Sequence, residues 1–314
     1  MVNVKTNYFG KTFAAFLTVT LLANFVVSGV AAATPLSSGD ITPYIVGGHA
    51  ASEPYPGMAS LQMDILDDPN FHVCGAVLVS RLYVATNAHC VTDWDGNAID
   101  PSLLHLRIGS NNRLEGGESV GVEAVLPHAD WDWGTGNNPV ADIALLKLDT
   151  YVQLQPFEVA PKLGKSSAVT RLLGWGSTEP SGEGPAPLGL QELDTKLVKP
   201  EKCTDAGITA GEICVSNQNG TDGPCFGDSG GPALQKVGSN RWSAIGGTSR
   251  MGAEWCGEGN VVYTDLTYYR KWMYEVMRKG TVPPSDTKST KPASTHRPIH
   301  FKWSLPAQRE AMLR

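Results

Sequence analysis

Short apolar runs, separated by glycine, proline and polar residues, make up most of the chain between residue 45 and residue 265. Phe71–Val79 and Ile143–Leu148 are examples, and both are rich in Val, Leu, Ile and Ala. Runs of this length that are bounded by turn residues are typical of β-strands. Over 266–278, Tyr, Trp, Met and Val recur every three or four positions, which predicts an α-helix. The pattern therefore predicts a mostly β protein with a helix near residue 270.

Both ends of the chain depart from this pattern. Two lysines precede an apolar stretch over 13–30 and then three alanines, an order typical of a secretory signal peptide, so we predict one over 1–33. An uncleaved membrane anchor is the alternative, although Thr, Asn, Ser and Gly interrupt the stretch. Residues 34–44 have no periodicity, and we predict that they form an activation propeptide. Thr, Pro, Ser and Lys dominate 280–314, which predicts a disordered basic tail.

Composition narrows the class of protein. The chain has 314 residues, 41% of them hydrophobic, and a net charge of −6, which argues against nucleic acid as a partner. It has six cysteines, and an even number behind an export signal predicts disulfides. Zinc binding is the less favoured alternative, because no two cysteines have the close spacing of a zinc site. We expect no metal and no cofactor.

The segment Gly227–Pro232 contains a candidate nucleophile, Ser229. A serine hydroxyl needs a base and donors for the oxyanion that it creates. The flanking glycines permit a sharp turn in which a substrate carbonyl can approach main-chain N–H groups. The same residues are also common in ordinary surface turns, so the segment alone does not decide its function.

Two further segments supply candidate partners for this serine. His89 lies in Val84–Cys90 and could act as the base, although a lone histidine beside a cysteine is more often structural. Asp142 heads a strand-like run, where it could simply be a turn residue. If Asp142 instead lies buried against His89, it would fix the histidine tautomer and stabilise the imidazolium.

Ile45-Val46-Gly47-Gly48 suggests a function for the acid next to the nucleophile. The segment could be a strand end, or a new amino terminus exposed by cleavage of the Tyr44–Ile45 bond. In the second case the Ile45 ammonium would pair with Asp228 and orient the amides around Ser229. Such a buried pair works well as a latch, because removing one partner strands the other charge.

These segments together resemble the trypsin/chymotrypsin-like secreted serine endopeptidases. Ile-Val-Gly-Gly, Thr-Asn-Ala-His-Cys, Asp-Ile-Ala-Leu, Gly-Trp-Gly (174–176) and Gly-Asp-Ser-Gly-Gly-Pro occur in the order of that family. The resemblance implies two antiparallel six-stranded β-barrels with a C-terminal α-helix and an active site in the crevice between the barrels. It places this protease domain over 45–279. It also implies that the protein is a monomer and that it does not insert stably into a membrane after the signal peptide is cleaved.

The resemblance assigns roles to the candidate residues. Ser229 would be the nucleophile, His89 the general base and acid, and Asp142 the residue that orients the imidazole. The amides of Gly227 and Ser229 would form the oxyanion hole. The implied disulfides are Cys74–Cys90, Cys203–Cys214 and Cys225–Cys256.

The resemblance also indicates what the enzyme would cut. Relatives that cleave after Lys or Arg carry an Asp where this chain has Gly223, followed by Pro224. A cationic side chain would therefore find no counter-charge, which disfavours trypsin-like specificity. The pocket walls would be formed by Ser249, Met251 and Val261. The bulky residues among them suggest an elastase-like pocket. If the flexible Met251 moves aside, the pocket would instead be chymotrypsin-like. Arg250 replaces an aromatic residue that usually lines the substrate groove.

Other features refine this hypothesis. Asn219-Gly220-Thr221 is a candidate glycosylation site. Glu115 and Glu118 match a calcium loop of some relatives, but Ser110 replaces its first carboxylate, so we expect a solvated acidic loop. Expected partners are protein or peptide substrates and an activating protease at Tyr44–Ile45. The alternative hypothesis is a non-catalytic, protease-like binding or inhibitor protein, which usually lacks a triad residue.

Overall fold

The computed structural model describes residues 45–65, 68–134, 140–217 and 219–285. The predicted signal peptide (1–33), the predicted propeptide (34–44) and most of the predicted tail (286–314) lie outside the described residues. Among the described residues, no helix combines the length and the apolar composition needed to cross a bilayer.

The first half of the described chain forms a closed antiparallel barrel, preceded by a short strand β1 (His49–Ala50). The barrel strands join in the order β2-β3-β4-β7-β6-β5. Their bounds are β2 (Met58–Ile65), β3 (Asp68–Ser80), β4 (Tyr83–Thr86), β5 (Leu104–Ile108), β6 (Glu118–Pro127) and β7 (Ala144–Leu148). Alternate side chains point inward, as in β5 with its buried Leu104, Leu106 and Ile108.

The second half forms a curled sheet of nine strands that also takes in β1. Its other strands are β8 (Glu158–Val159), β9 (Thr170–Gly174), β10 (Gln191–Thr195), β11 (Leu197–Val198), β12 (Glu212–Val215), β13 (Pro232–Gln235), β14 (Ser243–Met251) and β15 (Val261–Asp265). The main path runs β1-β10-β9-β13-β14-β15-β12-β11, and β8 pairs in parallel with β14. The predicted all-β class is confirmed, although this half is an open curled sheet, with three of its strands only two residues long, rather than a closed six-stranded ring.

The C-terminal helix α1 spans Arg270–Lys279 and begins four residues later than the sequence pattern predicts. The helix begins late because Asp265 Oδ1 accepts hydrogen bonds from the backbone N–H and the hydroxyl of Thr267. These bonds hold the segment before the helix in a turn. The helix ends at Gly280, which has a φ of 70° and donates its N–H to Val276 O at 2.7 Å.

Two large apolar clusters hold these elements together. One fills the first barrel with side chains from all six of its strands. The other joins the two halves and α1, where Met273 and Val276 of the helix pack with Tyr55, Leu173 and Trp175. The chain loops that meet along this junction carry the candidate site.

Candidate active site

His89 lies in a buried 3-10 turn, Ala88–Cys90, that follows β4. The disulfide Cys74–Cys90 ties this turn to β3, with the two Cα atoms 6.3 Å apart. Cys74, His89 and Cys90 lie close enough to hold a metal. Both sulfurs belong to the disulfide, however, so the group offers only an imidazole nitrogen as a ligand.

Asp142 lies directly in front of β7, and its carboxylate contacts His89 twice. Oδ2 is 2.8 Å from His89 Nδ1, and Oδ1 accepts the His89 backbone N–H at 3.0 Å. Asn87 Nδ2 and Ser249 Oγ also donate to Oδ2, at 2.8 and 2.6 Å. Because a carboxylate only accepts hydrogen bonds, Nδ1 carries the imidazole proton. These contacts hold the ring in one tautomer and one orientation.

The electrostatic surroundings keep Asp142 ionised. Burial opposes the charged form, but the neighbouring His89 and the hydrogen bonds from His89 and Ser249 outweigh burial and lower the pKa of Asp142 to about 2. Ala141, just before it, has a φ of 49°, a left-handed conformation that is costly for a residue with a β-carbon. The backbone is therefore strained next to this acid, as it often is at functional sites.

The loop that carries Ser229 packs against the middle of β3 and the end of β4. Gly75 N–H donates to Ser229 O at 2.7 Å, and Gly230 N–H donates to Thr248 O at 2.9 Å. Gly230 has a φ of 76°, and a β-carbon there would overlap Thr86 Oγ1 and Gly75 O. The serine loop therefore contacts the end of β4 three residues before His89, and Ser229 is partly exposed.

The amides of this loop fall into two groups. Those of Asp228, Gly230 and Gly231 donate to backbone carbonyls at 2.9 Å. Within the described part of the chain, the amides of Gly227 and Ser229 have no protein acceptor. Gly227 has a φ of 98°, which favours glycine. These two amides flank the bonded amide of Asp228 and are available as a cradle, that is, a pair of donors, for an anionic oxygen.

His72, on β3, is a site residue that the sequence analysis missed. Its Nε2 lies 2.9 Å from Gly227 O and its Nδ1 lies 2.8 Å from Ser60 Oγ. A carbonyl can only accept, so Nε2 carries the proton and Nδ1 accepts from the hydroxyl. Burial lowers the pKa of His72 to about 4, which keeps the ring neutral. Its position in an apolar run two residues before Cys74 was the only signal in the sequence.

Asp228 and Ile45, the predicted latch residues, are both buried. The Asp228 carboxylate accepts the N–H groups of Gly176 and Cys225, each at 2.8 Å. Val46 pairs with Gly223, whose N–H donates to Val46 O at 2.9 Å. In the intact chain the Ile45 nitrogen is an amide, so it carries no ammonium. Burial raises the pKa of Asp228 to about 7, although the two amides partly offset this.

Of the five predicted pocket residues, four are buried and Met251 is half-buried. Val261 Cγ2 lies 4.0 Å from where a β-carbon on Gly223 would be. Met251 packs against Cys225 and Cys256, which form a disulfide as the resemblance implies. Pro224, next to Gly223, is buried. The hydroxyl of Ser249 points to Asp142 and donates to its Oδ2.

Asp222, the carboxylate nearest to the pocket in sequence, faces a surface loop. It accepts hydrogen bonds from Asn219 Nδ2 and from Thr221 Oγ1, the latter at 3.2 Å. Asn219, the predicted glycosylation site, is exposed. The third implied disulfide, Cys203–Cys214, is also present.

Three tryptophans cluster next to His89. The centroid of the Trp133 ring lies 6.3 Å from that of His89, 4.8 Å from that of Trp94 and 5.1 Å from that of Trp131. Trp131 Nε1 donates to Thr92 Oγ1 and Trp133 Nε1 to Asp93 O, both at 2.9 Å. The tryptophan cluster is thus fixed to the segment that follows His89.

Comparisons with known proteins agree with this geometry. The trypsin family model matches residues 45–273. The chain is 28% identical over 247 residues to Transmembrane protease serine 11G of Rattus norvegicus, covering 72% of this chain and 54% of that protein. It is 30% identical over 230 residues to CLIP domain-containing serine protease B15 of Anopheles gambiae, covering 65% of this chain and 61% of that protein.

Another relative is similar over more of its own length. Kallikrein 1-related peptidase b16 of Mus musculus is 29% identical over 230 residues, which is 67% of this chain and 82% of that protein. By contrast, the chain spans about half the length of the rat transmembrane protease.

Proposed function

The chain belongs to the trypsin family, and from that membership we propose that it is a secreted serine endopeptidase made as an inactive precursor. The proposal rests on two hydrogen bonds between His89 and the Asp142 carboxylate. One comes from the ring nitrogen Nδ1 and the other from the backbone N–H of His89. A residue held this firmly serves to orient an imidazole for proton transfer.

The reaction begins when Ser229 Oγ attacks the carbonyl carbon of the scissile peptide bond. His89 Nε2 takes the hydroxyl proton, and Asp142 stabilises the imidazolium. The carbonyl oxygen becomes an oxyanion that accepts hydrogen bonds from the amides of Gly227 and Ser229. Collapse of this intermediate breaks the C–N bond, His89 gives its proton to the leaving amine, and an acyl group remains on Ser229.

Water then completes the cycle. His89 takes a proton from a water molecule, whose oxygen attacks the acyl carbon and forms a second oxyanion in the same cradle. Breaking the ester bond returns the proton to Ser229 Oγ and releases the acid product. Neutral His72 supports both steps, because its bond to Gly227 O orients the loop that supplies the cradle.

Activation follows cleavage of the Tyr44–Ile45 bond by another protease. The new Ile45 ammonium pairs with buried Asp228 and thereby fixes the loop of Gly227 and Ser229. Tyr44 before the cleaved bond selects an activator that accepts aromatic residues. It also prevents self-activation by an enzyme that prefers small side chains.

The pocket selects small aliphatic side chains before the scissile bond. Val261 reaches toward Gly223 and shortens the pocket, and Met251 narrows its wall. A Leu or Phe side chain enters only if Met251 moves aside. Lys and Arg are disfavoured, because Asp222 is engaged by Asn219 and Thr221 outside the pocket.

A fluorophosphonate probe, which phosphonylates activated serines, tests the proposal. We expect it to label the protein once the Ile45 terminus has been freed, and not before. Ser229→Ala should abolish labelling, whereas the matched control Ser177→Ala should keep it. Equal labelling of the activated protein and of Ser229→Ala would show that Ser229 is not the nucleophile.

A further inference from the structure

Arg250 replaces an aromatic residue that usually lines the substrate groove, but its side chain is directed into the protein interior. The side chain is almost completely buried, with 2% of its surface exposed. Nε donates to Ala206 O at 2.6 Å, and Nη2 donates to Gly207 O at 2.7 Å. The guanidinium therefore faces the segment that precedes β12.

Glu212 binds the same guanidinium through both carboxylate oxygens. Oε1 lies 2.6 Å from Nη1, and Oε2 lies 2.8 Å from Nη2. Only 4% of the Glu212 side chain is exposed, and Thr209 donates its N–H and hydroxyl to Oε2. A buried ion pair is weak evidence for stability, because both charges lose their hydration. Its bidentate geometry does hold the guanidinium in one orientation.

The last donor of Arg250 reaches the catalytic network. Nη1 lies 3.3 Å from Ser249 Oγ, which in turn lies 2.6 Å from Asp142 Oδ2. With this contact all five N–H groups of the guanidinium are used, so Arg250 offers no free donor to an acidic substrate side chain. The residue is therefore not a cationic subsite.

The chemistry of these groups fixes the direction of both bonds. A guanidinium only donates and a carboxylate only accepts. Ser249 Oγ must therefore accept from Arg250, and its single proton must go to Asp142. The strand supports this geometry, because the register between β14 and β15 shifts between Thr248 and Arg250. Such a bulge redirects side chains, so Ser249 reaches Asp142 while the next residue reaches Glu212.

We propose that Arg250 is a positioning residue for the reaction: by donating to Ser249 Oγ, it directs the Ser249 hydroxyl to Asp142 and so fixes the carboxylate that orients His89. The inference rests on the proposed catalytic role of Asp142. Glu212 contributes indirectly, because it holds the guanidinium.

The test removes the Arg250 donor together with its ion-pair partner Glu212, so that no buried charge is left unpaired. The double variant Arg250→Met/Glu212→Gln is compared with the unaltered protein after the Ile45 terminus has been freed. We expect kcat to fall about fivefold, the scale of one hydrogen bond, while KM stays within about twofold. The control Lys147→Met/Glu123→Gln, which removes an ion pair on β7 and β6, should change neither constant.

A double-mutant cycle with Ser249→Ala separates this role from a structural one. If Arg250 acts through Ser249, then adding Arg250→Met/Glu212→Gln to Ser249→Ala should cause no further loss of kcat. Multiplied losses, or a rise in KM with unchanged kcat, would overturn the proposal.

A proton NMR measurement decides the question without relying on activity. The His89 Nδ1–H resonance should move downfield in Arg250→Met/Glu212→Gln, because a carboxylate with a weaker Ser249 contact accepts more strongly from His89. An unchanged resonance would overturn the proposal. If the activated, unaltered protein hydrolyses nothing, the proposed function fails, and this resonance alone still decides whether Arg250 acts on Asp142.

Discussion

The carboxylate of Asp228 occupies the space that a side chain at Gly174 would need. A β-carbon on Gly174 would overlap Asp228 Oδ1, and one on Gly176 would lie 2.5 Å from the Asp228 carboxyl carbon. The N–H of Gly176 donates to that same Oδ1 at 2.8 Å. The Gly-Trp-Gly segment thus provides both the room and a donor for the acid next to Ser229.

This relationship predicts that Gly176→Ala destabilises the fold and impairs activation. The methyl group would displace Asp228, and overpacking of this kind typically costs about 1–3 kcal/mol. Urea denaturation measures the loss, and the rate of hydrolysis after release of Ile45 measures the effect on activation. Gly189→Ala is the matched control, because the nearest atom to a β-carbon there is 3.7 Å away. Equal stability of the two variants would contradict this account.

We expect Asp228 to make the stability of the uncleaved chain depend on pH. Its pKa rises from 3.8 to about 7 on folding, so the folded state retains a proton that the unfolded chain has released. This contribution to stability is complete below about pH 3.8 and is lost as the pH rises through about 7, a change of at most about 4 kcal/mol. Asp228→Asn should abolish the decline, as measured by urea denaturation of uncleaved protein across this range. An unaltered decline would assign it to another group.

His72 gives the opposite dependence. Burial lowers its pKa from 6.5 to about 4, so the unfolded chain binds a proton that the folded state does not. Its protonation therefore removes stability as the pH falls from about 6.5 to about 4. His72→Gln keeps a donor for Gly227 O but does not titrate, so the uncleaved variant should gain stability relative to the uncleaved unaltered protein as the pH falls. Parallel curves for the two proteins would rule out His72 as the titrating group.

Whether a feature of this molecule can be predicted from its sequence depends on how far apart along the chain the interacting residues lie. The strands, the helix, the triad candidates and the three disulfide pairs follow from local patterns and from the family resemblance. His72 was missed, because its contact with Gly227 joins residues 155 positions apart. The contacts of Arg250 could not be predicted either, because they depend on a bulge in β14 and on Glu212 from another strand.

The pocket gives a prediction about specificity. Gly223→Asp should raise kcat/KM for substrates with Arg or Lys before the scissile bond by about tenfold or more, because it supplies the missing counter-charge. The site has room, since the nearest atom to a β-carbon on Gly223 is 3.6 Å away. Cleavage of a peptide library by the activated protein checks this, and Asp222→Asn should leave the preference unchanged. Cleavage by the unaltered protein mainly after Arg or Lys would refute the pocket assignment.

A crystal structure of the activated protein with a peptide boronate tests the central claim most directly, because boron mimics the carbon that the nucleophile attacks. We predict a bond from boron to Ser229 Oγ, one boronate oxygen about 3 Å from the amides of Gly227 and Ser229, and His89 between that serine and Asp142. A boronate bonded to another residue, or an oxygen that contacts neither amide, would contradict the proposed mechanism.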